Sequence, residues 1–421
     1  MPDTQSGSQR LPDAGEASLW RHADFMKLWS GQTVSLFGSA ITGLALQFIA
    51  VVTLEASAAE MGLLGAVVAA PALAVGLFAG VWVDRFRRRT LLIVSDVLRA
   101  LLLATIPLAV FLDMLSMAQL YVIGFLTGGF TVIFELAARS YLPSLVARDR
   151  LVEGNAKLKI SSSVTSVVGH GLAGLIIQAI TATMAIIVDA VTYLLSAFCI
   201  LIIGRREKAP EMGASTMIAQ VREGFEVVFG NPLLRAFAGC TTTSNLTSQV
   251  LFALYILFGV RELGLNASEL GLIYGIGASG ALIGALSAPW IATRFGVGHA
   301  IVGGAVLGSL EVLPVAFATP PLAMLLLLTS GFVGHFGWTV YSINETSLRQ
   351  AITPANLQGR MNATMLFVGN GMTPIGALAG GVLGEWLGLR EAITVAAFGS
   401  LLSFLWVLFS PVRNRKRIPE R

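Results

Sequence analysis

The stretch GVWVDRFRRR, residues 80–89, begins at the end of an apolar run and closes in a cluster of arginines. The run it completes, residues 61–83, is long enough to cross a bilayer core as a helix, which takes about 20 apolar residues. Only 12% of the 421 residues are charged, against about 25% in soluble domains. The sequence therefore predicts a protein that crosses the membrane many times. Similar uncharged runs lie at 28–54, 114–134, 160–188, 236–260, 270–293, 361–384 and 392–412.

The arginine cluster belongs to a pattern in which basic loops alternate with loops that are poor in Lys and Arg. Only Arg261 and Arg390 fall in loops that we assign to the outer side. This asymmetry follows the positive-inside rule, and it predicts a multi-pass protein of the inner (plasma) membrane with both termini in the cytoplasm. It also accounts for the net charge of +4 without any binding of nucleic acid. The basic clusters are Arg85/Arg87/Arg88/Arg89, Arg148/Arg150/Lys157/Lys159, Arg205/Arg206/Lys208 and Arg413/Arg415/Lys416/Arg417.

The apolar runs and the charges between them predict twelve helices and no strand. The predicted order is a cytoplasmic segment 1–24, a six-helix bundle 25–204, a cytoplasmic central loop 205–232, a second six-helix bundle 233–411 and a basic tail 412–421. Within the central loop, residues 214–232 mix apolar and charged side chains, which predicts an interfacial helix. The twelve predicted helices cover 28–54, 60–83, 91–112, 117–139, 158–180, 183–204, 235–260, 267–292, 299–318, 322–347, 361–384 and 391–411.

The two halves of the chain resemble each other. Glu135 and Arg139 in the fourth predicted helix recur 210 residues later as Glu345 and Arg349 in the tenth. Each pair is followed by a proline and then by a basic segment that contains asparagine. Two parallel repeats of six helices are typical of transporters whose substrate path lies between the bundles. The predicted fold class is thus an all-α membrane protein of two pseudo-symmetric six-helix bundles.

The loop at 80–89 resembles the signature loop of the major facilitator superfamily, with the spacing G-x-x-x-D-R-x-x-R-R. The resemblance implies that Gly80 lets helices approach closely, that Asp84 caps or pairs with a neighbouring helix end, and that Arg85, Arg88 and Arg89 face the cytoplasm. Four further stretches are similar to the drug-and-siderophore exporters that include macrolide-efflux proteins and the enterobactin exporter. They are SDVLRALLL (95–103), ARSYLPSLVARDRLVEGNA (138–156), REGFEVVFGNPLLRAF (222–237) and SLRQAITPANLQGRMNA (347–363).

Acidic and basic side chains inside apolar helices are costly, so each one needs a reason to be there. Glu345 and Arg349 are four residues apart and share a helix face, as do Glu135 and Arg139. We consider two roles for these pairs: salt bridges that steady a cytoplasmic gate, which is the favoured role, and direct carriage of a proton by the glutamate.

The resemblance implies that the fourth and tenth helices line a central cavity. His335, Trp338, Tyr341 and Glu345 follow one stripe of the tenth helix, so we expect this stripe to face the substrate.

Other polar residues in the predicted helices are candidates of a second rank. Asp96 and Arg99 are predicted to form, with Asp84, a charge network at the cytoplasmic ends of the second and third helices. Asp189 and Glu311 are predicted to pack or to lie near lipid headgroups, and carriage of a proton is the less favoured alternative for each. The stretch GHGLAGLIIQ (169–178) resembles a Gly-rich antiporter motif, with His170 where a proline is usual. His170 can titrate near neutrality, but a hydrogen bond between helices is its favoured role.

A mostly apolar pocket with a few polar anchors suits a bulky amphipathic solute. The resemblance implies that the first, seventh and eleventh helices line the cavity, and the expected polar anchors lie on these helices. These are Gln32, Gln47, Asn245, Gln249 and Asn370, with Phe37, Phe48, Phe252 and Tyr255 as apolar neighbours.

The sequence argues against several other classes of protein. GIGASG at 275–280 matches a dinucleotide fingerprint, but it lies inside an apolar helix, where close helix packing explains its glycines. We find no Walker loop, no metal-ligand spacing and no nucleophile–base pattern, so we expect no cofactor, no metal and no enzymatic activity.

The sequence thus predicts a monomeric, proton-driven exporter of amphipathic molecules, with its basic tail at anionic lipid. A proton-coupled importer of the same fold and a lipid or amphiphile flippase remain the alternatives.

Overall fold

The computed structural model describes residues 19–74, 85–147, 150–204, 217–354 and 357–415, with the backbone alone for 217–221. These residues are helical apart from short connections, so the predicted all-α fold is confirmed. The helices are α1 Ala23–Phe48, α2 Ala58–Ala74, α3 Arg88–Phe111, α4 Met117–Leu145, α5 Leu151–Ile180, α6 Ala182–Leu201, α7 Met217–Gly230, α8 Pro232–Arg261, α9 Ala267–Phe295, α10 Val297–Ala316, α11 Ala323–Ile352, α12 Gln358–Leu387 and α13 Leu389–Leu408.

Eleven of the described helices, all except α2 and α7, are long and apolar enough to cross a membrane, judged by length and composition. Helices α1–α6 correspond to the first six predicted helices and α8–α13 to the last six. The predicted second helix, 60–83, is described only as far as Ala74, where α2 has 17 residues. Helix α7 lies where the sequence predicts an interfacial helix.

Helices α4 and α11 extend further than the sequence predicts. The apolar runs predict ends at residues 139 and 347, but the helices continue to Leu145 and Ile352. Pro143 lies inside α4, as membrane helices allow when neighbouring groups satisfy the freed backbone. The two predicted ion pairs therefore lie about one to three turns inside their helices, at 3.6 residues per turn.

Helix packing repeats between the two halves. In the first half α1 packs on α6, α2 on α4, and α3 on both α4 and α6. The equivalent contacts in the second half are α8 on α13, α9 on α11, and α10 on both α11 and α13. The same helix pairs thus form two bundles, as the predicted repeat requires.

Glycines of α9 bring its backbone close to α11. A Cβ atom at Gly284 would lie 2.7 Å from the carbonyl oxygen of Phe336, and one at Gly277 would lie 3.4 Å from Cα of Gly331. The sequence GIGASG lies in this contact, inside a helix. Its glycines serve helix packing, as predicted.

The two bundles touch through small residues near one end of their helices. Gly62 of α2 faces Gly381 of α12, and Gly174 of α5 faces Gly271 of α9. All four lie within about two turns of the helix ends opposite the chain termini. We call this the distal side of the molecule, and the side with residues 19 and 415 the termini side.

Candidate functional site

A cavity of about 450 Å³ lies between α1, α3, α4 and α5 of the first bundle. Gln32 and Ser39 of α1, Arg99 of α3, and Glu135 and Arg139 of α4 are among the residues that line it. The side chains of Glu135 and Arg139 are 59% and 78% exposed, and their charged atoms are 3.7 Å apart. An exposed pair of this kind stabilises a fold by only about 0–1 kcal/mol. The structure thus places the predicted residues Gln32 and Glu135 on one cavity, with the ion pair at its mouth.

The repeat-related pair in α11 has a different environment. Arg349 Nη1 donates to Glu345 Oε1 at 3.0 Å, and the two side chains are only 16% and 6% exposed. Thr346 Oγ1 donates to the other carboxylate oxygen at 3.1 Å. Removing one partner of a buried pair typically costs about 3–5 kcal/mol, because the other charge is left without compensation. The two pairs therefore share their spacing but not their burial.

The stripe that precedes Glu345 on α11 faces the interior of the second bundle. Tyr341 is 1% exposed, and its hydroxyl lies 3.3 Å from Thr241 Oγ1 of α8. Trp338 stacks on Tyr341 with ring centroids 4.9 Å apart. His335 Nδ1 lies 3.7 Å from Glu311 Oε1 of α10. In the present state its contacts hold α11 against α8 and α10. That this stripe faces the substrate, as the sequence predicts, stays a prediction.

His170 lies between the bundles. Its ring is 5.7 Å from the ring of Tyr274 in α9, and Tyr274 is in turn 5.4 Å from Tyr255 in α8. The Nδ1 atom lies 3.2 Å from the carbonyl oxygen of Ser166. The histidine thus reaches from the first bundle to aromatic rings of the second, and no motif in the sequence indicated Tyr274 as its neighbour.

Of the polar residues that the sequence predicts in the cavity on α8 and α12, two pack between the helices and one is exposed. Asn245 Nδ2 donates to the carbonyl oxygen of Gly369 at 2.9 Å, which joins α8 to α12. Gln249 lies against Gly376 of α12. Asn370 is exposed. Of these three predicted cavity residues, the first two connect helices of the same bundle.

Asp96 and Arg99 form a buried ion pair within α3. Both residues are at most 1% exposed, and Arg99 donates to Asp96. The guanidinium carbon of Arg99 lies 4.1 Å from the ring centroid of Tyr193 and 4.6 Å from that of Phe134. The sequence predicts this pair at the cytoplasmic end of the helix in a network with Asp84, which stays a prediction because Asp84 lies outside the described residues. Counted at 1.5 Å per residue from the start of α3, the two residues lie about 12 and 16 Å inside it.

Asp189 in α6 is a further buried acid beside this pair. Its Oδ1 atom accepts a hydrogen bond from Thr192 Oγ1 at 2.9 Å, and the residue is 0% exposed. A Cβ atom at Gly38 of α1 would overlap the Asp189 carboxyl group, so α1 approaches α6 closely here. Complete burial excludes the headgroup position that the sequence left open for Asp189. In the sequence, an isolated acid in an apolar run and a glycine in the first predicted helix are the features that indicate a buried Asp189.

Arg89, in the basic loop, caps α6. Its Nε atom donates to the carbonyl oxygen of residue 200 at 3.3 Å, and the guanidinium also donates to that of residue 201. The last carbonyls of a helix lack partners within the helix, and a cation is favoured beside them. The loop therefore has a structural role in the first bundle. The other predicted residues of this loop are Arg85, which is exposed, Arg88, which is half-buried, and Gly80 and Asp84, which lie outside the described residues.

The sequence is similar to a known protein family and to several characterised and uncharacterised transporters. The family model of the Major Facilitator Superfamily matches residues 28–373. The chain is 25% identical to an uncharacterized MFS-type transporter, YfiS, of Bacillus subtilis, over 93% of this chain and 94% of that protein. It is 26% identical to the multidrug efflux pump Tap of Mycolicibacterium fortuitum, over 89% and 92%. It is 23% identical to the enterobactin exporter EntS of Salmonella choleraesuis, over 93% and 92%.

Solved structures share the fold. The nucleoside transporter NupG superposes with a TM-score of 0.73 at 14% identity, over 92% of this chain and 98% of that one. A bacterial homologue of the iron transporter ferroportin, in an inward-facing state, superposes with a TM-score of 0.72 at 18% identity, over 93% and 99%. At these identities the likeness concerns the fold alone.

Proposed function

Because this chain belongs to the major facilitator superfamily, we propose that it is a secondary active transporter that exports amphipathic small molecules in exchange for protons. The cargo class is a drug, a macrolide or a siderophore, moved by alternating access of the two bundles. The proposal includes an inner-membrane location with both termini in the cytoplasm, as the basic loops predict, and operation as a monomer surrounded by lipid.

The observation that carries this proposal is the one-sided contact between the bundles. Gly62 meets Gly381 and Gly174 meets Gly271 on the distal side, whereas Glu135 and Arg139 are exposed on the termini side. If the termini lie in the cytoplasm, this state is the one that takes up cargo from the cytoplasm. Alternating access then requires a second state in which the distal glycines separate.

The direction and the cargo are supported by the relatives and by the cavity of the first bundle. Two relatives at 23–26% identity are named as an efflux pump and an exporter. The cavity combines the apolar side chains of Phe134 and Leu142 with the polar groups of Gln32 and Arg99. Such a lining suits a solute with an apolar body and a polar group.

We assign the Glu345–Arg349 pair to the gate on the termini side. The pair is buried and bonded within α11, so it fixes the end of this helix in the present state. Its exposed counterpart Glu135–Arg139 is free of such burial and is available to form new contacts when the termini side closes. Direct proton transfer by Glu345 is the alternative role of this residue.

Transport into everted membrane vesicles tests the proposal. The cytoplasmic face of such vesicles points outward, so an acidic interior should drive accumulation of ethidium, a macrolide or a siderophore. A protonophore should abolish the accumulation, and vesicles that lack the protein should show none. If an acidic interior drives uptake of none of these probes, the antiport proposal is wrong.

The same vesicles separate the two competing functions. A proton-coupled importer would release a preloaded probe faster when the interior is acidic, which is the opposite direction. A flippase-like facilitator would move a labelled lipid or amphiphile at a rate that does not depend on the imposed pH difference.

A further inference from the structure

The buried charges of the first bundle do not balance. Asp96, Arg99 and Asp189 are 0%, 1% and 0% exposed, so two carboxyl groups share one guanidinium. Arg99 donates to Asp96, while in the described part of the chain the carboxyl group of Asp189 faces the hydroxyls of Thr192 and Thr42 rather than a cation of its own. An uncompensated carboxylate inside a membrane helix bundle is costly, so this group of three side chains requires one further positive charge.

The surroundings of Asp189 supply no second cation. Helices α1, α3 and α5 pack against α6. The charged or titratable side chains that act on Asp189 are Asp96 and Arg99 of α3, and Tyr193 lies one turn further along α6. In the described part of the chain, α1 presents the hydroxyl of Thr42 to it, and α5 presents no titratable side chain. A proton on a carboxyl group is therefore the missing charge.

Hydrogen-bonding capacity around these carboxyl groups is also unfilled. Among the described residues, the Oδ2 atoms of Asp96 and Asp189 are buried without a hydrogen-bond partner, and the hydroxyls of Ser196 and Thr42 face these two carboxyl groups. A protonated carboxyl group gains a donor that an ionised one lacks. An unpartnered Oδ2 atom can therefore carry the bound proton and donate it in a hydrogen bond.

A polar connection leads from Asp189 to the cavity of the first bundle. Tyr193 follows Asp189 by one helical turn, and its hydroxyl lies 3.0 Å from Ser39 Oγ. Ser39 and Arg99 both line the 450 Å³ cavity. Tyr193 and Ser39 therefore form a pair of hydroxyl groups that extends from the helical turn after Asp189 to the lining of this cavity.

We propose that Asp189 is the proton-binding residue of this transporter, with the Asp96–Arg99 pair as its charge partner and Ser39 and Tyr193 as its link to the cavity. The inference rests on the proposed proton-driven transport and names the residue that couples it. In the present state the Asp189 carboxyl group holds the proton while Arg99 neutralises Asp96. On release the O–H bond breaks, the proton passes to cavity water, and Arg99 must then serve two carboxylates.

Loss of the proton from Asp189 leaves two carboxylates beside the single guanidinium of Arg99, and this couples the proton to a rearrangement of the helices. Two carboxylates and one cation in an apolar interior favour either the return of a proton or a rearrangement of α3 against α6. Glu345 differs, because Arg349 already balances its charge. The geometry therefore assigns proton coupling to the first bundle and leaves Glu345 as a gate residue.

Asp189→Asn tests the assignment, with Asp113→Asn as the matched control on the exposed loop between α3 and α4. Asparagine imitates a neutral aspartic acid, so D189N should fold and unfold thermally no earlier than the wild type at neutral pH. In liposomes it should still exchange labelled cargo without a gradient, but its accumulation driven by a pH gradient should fall to the level of empty liposomes. D113N should behave as the wild type. Gradient-driven accumulation by D189N equal to that of D113N would overturn the proposal.

Infrared spectroscopy tests the bound proton independently of transport. The wild type and D113N should show the carbonyl band of a protonated buried carboxylic acid, and D189N should lack it. Loss of the band in Asp96→Asn instead would move the proton to Asp96 and overturn the assignment. If the wild type shows no gradient-driven transport, the proposed function fails, while the band still decides whether Asp189 holds a proton.

A sodium gradient at equal pH completes the test. Wild-type accumulation driven by sodium and lost in D189N would make this a sodium site and would overturn the proton assignment. No accumulation under sodium, together with loss of the pH-driven accumulation in D189N, is the expected pair of results.

Discussion

Replacing Gly62 with alanine should drive this transporter out of the state described here. Gly62 lies on α2 at its contact with α12, and a Cβ atom there would come within 2.7 Å of the carbonyl oxygen of Ala377 and the amide nitrogen of Gly381. Both are backbone atoms, which cannot rotate away as a flexible side chain would. The two helices must therefore separate to accept one methyl group.

The size of the effect follows from the cost of overpacking. Inserting an extra carbon into a well-packed contact costs about 1–3 kcal/mol. In the proposed cycle this contact exists only while the distal side is closed, so the whole cost falls on that state. A cost of about 1–3 kcal/mol changes an equilibrium by about 5- to 150-fold. The ratio of molecules open on the distal side to molecules closed there should grow by this factor.

Disulfide crosslinking across the contact measures the population. The backbone nitrogen of Ala59 donates to Glu385 Oε2 at 3.3 Å, so cysteines at these two positions should crosslink in the closed state, once Cys199 and Cys240 are replaced by serine. Gly62→Ala should slow crosslinking relative to the wild type, in proportion to the loss of the closed population. Gly43→Ala is the matched control, because a Cβ atom there meets nothing within 4 Å.

Equal crosslinking rates in the Gly62 and Gly43 variants would refute the reasoning. That result would mean either that the helices absorb the methyl group without separating or that this contact does not open during the cycle. Faster crosslinking would show that the added methyl group improves the packing.

Three further predictions follow from the packing of single residues. Arg349→Ala should destabilise the protein by about 3–5 kcal/mol, and Arg139→Ala by about 0–1 kcal/mol; similar thermal unfolding of the two variants in detergent would contradict the difference in burial. Arg89→Ala removes the cap of α6 and should cost about 1–3 kcal/mol, seen as faster hydrogen exchange at the end of α6 with the rest of the bundle unchanged. Gly224→Ala would place a Cβ atom 2.8 Å from a backbone oxygen of α12 and should speed hydrogen exchange throughout α7. Gly230→Ala, which meets nothing within 4 Å, should leave that exchange as it is in the wild type.

Helix positions could be predicted from the sequence because the bilayer sets the length of an apolar run. Helix α6, for example, is predicted at 183–204 and found at Ala182–Leu201 despite the acid inside it. Helix ends were harder to predict, because α4 and α11 continue past the last apolar residues into charged sequence. There the backbone hydrogen bonds of the helix, rather than lipid contact, determine where it stops.

Burial of the charged residues could not be predicted from spacing. Glu135–Arg139 and Glu345–Arg349 have the same separation on equivalent helices, yet the first pair is exposed and the second is buried. A repeat fixes which positions correspond, but the neighbours on other helices decide what each position contacts. The start of α3 lies three residues before its predicted start, so Asp96 lies deeper in the helix than the sequence predicts.

The sequence carries a further signal of where the two bundles meet. Gly62 and Gly271 are 209 residues apart, and Gly174 and Gly381 are 207 residues apart, close to the offset of 210 between Glu135 and Glu345. Each pair therefore occupies equivalent positions in the two halves, and the structure joins them crosswise at the distal contact. Glycines that recur at the repeat offset in helical sequence would have indicated where the bundles meet.

The distal glycine contacts repeat between the two halves of the chain, whereas the buried charged residues do not. The distal glycine contacts are shared by both repeats, so opening there would move equivalent helices by equivalent amounts. The buried charges are not shared: among the described residues, Asp96, Arg99 and Asp189 leave the first bundle one positive charge short, whereas in the second Arg349 balances Glu345 and His335 lies 3.7 Å from Glu311. The two repeats therefore hold different acids in different surroundings. If the cycle is proton-driven, binding or release of the proton rearranges helices of the first bundle. The glycine contacts join that bundle to the second, so the second bundle moves with it.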